Sequence, residues 1–182
     1  MKKILLGAIV GSIILFGWQS FSWTGMGIHD ETYSYAPTQD SVIDFLQKQL
    51  KTTGQYRIPN NLPGNSNDNE AFWKSREGKP WAIVTYHDYY KYDMLSPTVR
   101  GFLISFICVL LLCINIQQFN KKKFWRILLT ALSYGIVSFL FVSYSQHNWF
   151  QTPWSVLNGQ LIDAIAAWGL SGLWLGVWFS QK

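Results

Sequence analysis

The chain has 182 residues, 15 Lys+Arg against 10 Asp+Glu, a formal net charge of +5, and only 14% charged against 49% apolar and 17% aromatic residues. Soluble domains carry about 25% charged residues. The shortfall and the aromatic content exclude a disordered chain, which needs high charge and few aromatics, and argue against an ordinary soluble enzyme. The excess of bases is compatible with a nucleic-acid binder or with a membrane protein that has basic loops, and the placement of the charges decides between them.

In chain order, the first feature is an apolar run from Ile4 to Trp23 without any Lys, Arg, Asp, Glu or His. It is long enough to span a bilayer, which takes about 20 residues. Lys2-Lys3 before it also fits the start of a signal peptide. The length of the run, together with Trp18, favours an uncleaved anchor. Gly7 and Gly11 form a G-x-x-x-G pair, a spacing that lets helices approach closely in membranes.

Residues 24–98 form the next segment, too long for a plain connector. Thr38 is placed to cap a helix on which Val42, Leu46 and Leu50 recur with helical spacing, widened by Ile43 and Phe45. Gly54 is placed to end that helix. Gln55 to Ile58 reads as a short strand, and Pro59 to Asn69 as a loop. A short helix capped by Asp68 or Asn69 runs through Arg76 to Gly78. Trp81 to Tyr89, rich in β-branched and aromatic residues, reads as a second strand. The expectation is a small α+β cap without cysteine, too small to be very stable alone. Tyr86, Tyr89, Tyr90 and Tyr92 are expected to pack it onto the membrane surface.

Three further apolar runs follow. Val99 to Ile116 contains only Arg100, Phe124 to Tyr144 only Arg126, and Val156 to Phe179 only Asp163. Backbone groups in lipid must pair within the segment, so each reads as a helix. The fold expected is membrane all-α: helices at about 1–23, 99–117, 124–144 and 154–179, with an extracytoplasmic cap at 24–98. Cys108 and Cys113 read as packing residues.

Lys and Arg set the orientation. Lys2, Lys3, Lys121, Lys122, Lys123, Arg126 and Lys182 all fall on one side of four spans, with no acid among them. That side is the cytoplasm, so both termini are cytoplasmic. The 24–100 segment balances eight bases with nine acids, and Ser145 to Ser155 carries none of either; both are placed outside.

Asp163 is the sharpest single feature, roughly ten residues into the fourth helix. A carboxylate at that depth is costly unless paired or protonated. Gly159 shares its helix face as a packing residue. Thr130, Ser133, Tyr134 and Ser138 of the third helix are the partners expected for it. Asp163 then serves either as an interhelical or intersubunit bond or as a proton or cation site. His29, His87 and His147 all fall outside, and with Asp30 or Asp88 they make a conceivable metal site in no recognised spacing. No phosphate loop, dinucleotide fingerprint, zinc-protease motif or nucleophile elbow occurs, so no catalytic residue and no cofactor are expected.

The opening Lys-Lys-Ile-Leu-Leu-Gly-Ala-Ile-Val-Gly, the stretch Trp18-Gln19-Ser20-Phe21-Ser22-Trp23, the nearby His29 and a strand ending Tyr86-His87 resemble a group of small uncharacterised bacterial inner-membrane proteins. The likeness covers mainly the first third of the chain. It implies an inner-membrane setting and carries over no activity or site residue. The function expected is a non-catalytic accessory, assembly or scaffold component of a membrane complex. Its partners are lipid and other membrane subunits or further copies of itself, not nucleic acid. The alternative is a small transporter or membrane enzyme that uses Asp163 and the outer histidines.

Overall fold

A computed structural model describes residues 1–61 and 69–180. In chain order the elements are α1 (Lys2–Thr24), a 3-10 turn (Asp30–Thr32), α2 (Gln39–Gln49), β1 (Gly54–Ile58), α3 (Asn69–Lys74), β2 (Ala82–Tyr86), α4 (Leu95–Gln117), α5 (Phe124–Ser138), a wide π turn (Phe139–Tyr144), α6 (Ser145–Phe150) and α7 (Trp154–Ser180). Four helices are long and apolar enough to cross a membrane: α1, α4, the continuous stretch Phe124–Phe150, and α7. At 1.5 Å per residue each exceeds the hydrocarbon thickness of about 30 Å.

These helices are apolar on all sides. Leu6 and Ile13 of α1, Ile104 and Leu111 of α4, and Ile165 and Leu173 of α7 all point outward. A soluble bundle would show one apolar stripe and a polar back. This is the build of a multi-pass membrane protein.

Two compact units divide the chain: residues 1–34 with 93–182, and residues 35–92. In the first, the long helices touch in the spatial order α4–α1–α7–α5. Neighbours run antiparallel. Phe16 of α1 meets Phe102 of α4 edge to face, while Gly11 faces Val109 farther along. Gly7 faces Trp178 and Phe179, and Gly11 faces Trp174 and Leu175. The close approach of α1 and α7 lets Ser171 Oγ and Trp174 Nε1 donate to the Gly11 and Gly7 carbonyls at 2.9 and 3.3 Å. Trp178 Nε1 reaches the Lys3 carbonyl at 2.9 Å. Leu15, Val109, Leu112, Ile116, Ile127 and Leu175 fill the core between them.

Two boundaries lie beyond those the sequence suggests. The second long helix starts at Leu95, because Pro97 sits in its first turn, where its missing N–H removes no bond. The third continues past Tyr144 through the π turn to Phe150, which takes His147 into the helix.

The second unit holds α2, α3 and an antiparallel β1–β2 pair, in register from Gly54 opposite Tyr86 to Ile58 opposite Ala82. Arg57 stacks between Trp73 (4.2 Å to the ring centroid) and Trp81 (5.4 Å). Tyr86 is buried. Gly54 opens β1 instead of ending α2, which stops at Gln49 with Leu50 already extended. Much of the Pro59–Asn69 loop, including Asp68, lies outside the described residues.

The unit is smaller than the 24–98 segment read from sequence. Residues 24–34 fold back onto the long helices, and residues from Asp93 onward belong to α4 and its start.

Candidate functional site

Asp163 lies on α7 one turn beyond Gly159, and both face α1 and the segment that follows it. Trp18 of α1 donates its indole N–H to Asp163 Oδ1 at 2.9 Å. Beyond Thr24 the chain reverses through Gly27, whose φ of +66° favours a residue without Cβ. The reversal lays the His29 ring flat on Trp23, with centroids 4.0 Å apart and planes 6° from parallel. His29 Nε2 then lies 3.0 Å from Asp163 Oδ2 and 3.4 Å from Ser22 Oγ.

The site is nearly dry: the His29 side chain is 4% exposed and that of Asp163 14%. Each carboxylate oxygen has one N–H directed at it. His29 Nδ1 is buried without a hydrogen-bond partner, so the network assigns the ring proton to Nε2, facing Asp163. The missing Cβ of Gly159 makes room for the ring, since a Cβ there would stand 2.6 Å from Nδ1 and 3.0 Å from the Ile28 carbonyl oxygen. The glycine on the Asp163 face therefore admits a histidine ring from the loop after α1, where a close-packed helix was expected.

The third long helix does not supply the partners expected from sequence. Thr130, Ser133 and Ser138 donate their hydroxyls to carbonyls of their own helix, at 2.8, 2.8 and 2.7 Å. A hydroxyl in a lipid-facing helix satisfies itself most simply in that way. Tyr134 packs on Trp168 with centroids 5.6 Å apart. With Cys108, Leu111 and Phe141 it lines an open apolar crevice of 490 Å³.

The three histidines go to three different settings. His29 pairs with Asp163. His147 holds the end of the third long helix, its Nδ1 2.7 Å from the Thr152 carbonyl oxygen and its ring against Tyr144 and Trp154. His87 is exposed in the second unit, beside a 730 Å³ crevice shared with Thr53, Asp88 and Tyr90. Asp88 is bound there by the Thr53 hydroxyl at 2.6 Å. Among the described residues no group of three or more His, Cys, Asp or Glu is placed to hold a metal ion.

Trp18 is the site residue that sequence reasoning missed, having weighed it as a mark of an uncleaved anchor. A signal was present: at 100° per residue, Trp18 falls on the same face of α1 as Gly7 and Gly11. A tryptophan on a packing face needs an acceptor for its N–H, and Asp163 supplies it. The resulting arrangement can bind a loop to a helix and share a proton between two side chains. Comparison with protein-family models, with curated proteins and with solved structures finds no match to this chain.

Proposed function

We propose that the protein is a non-catalytic accessory, assembly or scaffold component of a larger complex in the bacterial inner membrane. Both termini are cytoplasmic and the 35–92 unit lies outside. One observation carries this reading. The single acid within the long helices has both carboxylate oxygens taken up by hydrogen bonds, one of which fastens the segment after α1 to α7. Such a set uses up the most chemically capable residue as a structural tie. The outward apolar faces of α1, α4 and α7 then offer surface to lipid or to further subunits, including copies of this chain. The reading of the orientation is supported by the sequence positions of Lys2, Lys3, Lys121, Lys122, Lys123, Arg126 and Lys182, bases in the segments assigned to the cytoplasmic side of four spans.

Extraction in mild detergent followed by mass spectrometry tests the role. A stoichiometric larger membrane partner is the expected result. A clean homo-oligomer whose proton- or metal-linked activity disappears in Asp163→Asn would overturn it. Orientation is tested by a cysteine placed at Gln55 or Thr85, which should react with an impermeant reagent from outside. Labelling only from the cytoplasm reverses the topology.

The second reading, a small transporter or membrane enzyme, draws on the same pair. His29 and Asp163 form a dry acid–base couple, and His29 Nδ1 has no partner. It requires proton uptake or release by the reconstituted protein that both His29→Gln and Asp163→Asn abolish.

A further inference from the structure

Helix α2 is 11 residues long and none of them is buried. Val42, Ile43, Phe45 and Leu46 share one face, and Asp40, Asp44 and Lys48 share the other. Val42, Ile43 and Phe45 are 49%, 51% and 61% exposed, so no helix or strand of its own unit covers that face. An isolated helix of this length is marginal in water, so something must lie against it.

Chain connectivity narrows what that is. Residues through Ser34 belong with the long helices, held there by the His29–Asp163 pair. Only four residues separate Ser34 from Gln39, and the five steps between them reach at most about 17 Å. At the other chain end of the unit, Tyr89, Tyr90 and Tyr92 are 73%, 88% and 78% exposed and lead in sequence to α4 at Leu95. Ile43 and Gln47 of α2 line the same crevice as Tyr89 and Tyr90, so the helix and this tyrosine cluster lie side by side. Exposed tyrosines beside a membrane-spanning helix are the residues of the bilayer interface. An amphipathic helix lying in that interface buries its apolar face at the boundary of headgroups and acyl chains.

We propose that α2 lies flat in the membrane interface, with Val42, Ile43 and Phe45 in lipid and Tyr89 and Tyr90 beside them at headgroup level. The occupant of its apolar face is the lipid surface. The proposal rests on the membrane-spanning reading of the long helices.

The test uses the full chain reconstituted in phosphatidylcholine–phosphatidylglycerol vesicles. Val42→Cys, Phe45→Cys and Lys48→Cys are made singly in a Cys108→Ala, Cys113→Ala background and labelled with a nitrobenzoxadiazole fluorophore. Labels at 42 and 45 should be quenched severalfold more by nitroxide-bearing lipids than the label at 48. The label at 48 should respond instead to a water-soluble quencher. Equal access of all three to the aqueous quencher overturns the proposal. So does protection of 42 and 45 from both quenchers with disulfide formation between Phe45→Cys copies, which makes a second copy the occupant. Flotation of the vesicles separates the two readings. Protein that fails to float sinks the spanning reading and this one with it, whereas floating protein with solvent-accessible 42 and 45 sinks this one alone. Hydrogen exchange on the unsubstituted chain gives a check free of labels: α2 amides should exchange severalfold more slowly in vesicles than in a Phe45→Asp variant, and equal rates count against the proposal.

Discussion

His29, in the segment just past the end of α1, lies 3.0 Å from Asp163, well inside α7. The pair turns a loop into part of the helix packing. Trp18 completes it at the other carboxylate oxygen. Removing the carboxylate therefore strands the N–H donors of buried His29 and half-buried Trp18 at once. Asp163→Ala should destabilise the protein by about 1–3 kcal/mol, read as a lowered Tm in detergent. Asp163→Asn, which keeps one acceptor oxygen, should lose less. Equal Tm values for wild type and Asp163→Ala would show that the pair contributes nothing.

Gly159 tests the same contact without touching either partner. A Cβ at this position would stand 2.6 Å from His29 Nδ1, whereas at Gly17 it would meet nothing within 4 Å. Gly159→Ala should displace the ring and cost about 1–3 kcal/mol through overpacking. Gly17→Ala should be neutral or slightly stabilising, as expected of alanine in a helix. The NMR shifts of the His29 ring, which stacks on Trp23, should change in the first substitution and not in the second.

The packing of α5 on α7 depends on Gly135 and Gly172. A Cβ on Gly135 would run into the Ala164 carbonyl oxygen, and one on Gly172 would come within 2.7 Å of the Ala131 Cβ. Backbone cannot step aside as a flexible side chain can. Gly135→Val should separate the helices and lower Tm more than Gly169→Ala, whose nearest contact is the Leu132 side chain at 3.4 Å. Loss of a cysteine cross-link engineered between α5 and α7 would report the separation directly.

Asp93 caps the start of α4. It accepts the Ser96 hydroxyl at 2.7 Å and the Ser96 amide at 3.1 Å. The Ser96 hydroxyl first, then its backbone N–H, hold the carboxyl below its ordinary value of 3.8. A lowered folded-state pKa stabilises above the unfolded value and is lost as pH falls through the folded one. Amide exchange in the first turn of α4 should therefore accelerate only in acid below the ordinary carboxylate range. Asp93→Ala should show the faster rate at neutral pH and no such acid step.

Much of this protein follows from local pattern. Four apolar runs longer than a bilayer is thick leave the backbone no partner but itself, so the helices follow from Ile4–Trp23 and its three counterparts. The alternation in Gln55–Ile58 and the β-branched Ile83-Val84-Thr85 likewise suffice for a short strand pair. Helix ends were less legible. Pro97 reads as a stop, yet in a first turn it removes no bond, and the π turn at Phe139–Tyr144 carries no marker in an unbroken apolar run.

The site was half legible. The sequence alone determined that Asp163 needs a partner, because a carboxylate among apolar residues cannot stand unpaired. It did not determine which one. Helical neighbours such as Ser133 and Ser138 satisfy themselves on their own backbone, a choice that depends on whether anything better comes within reach. Tertiary structure decided the matter through two glycines. Gly27 turns the chain back at φ +66°, and Gly159 leaves the space into which the His29 ring fits. Contacts between residues 134 positions apart depend on how helices pack, and no local pattern encodes that.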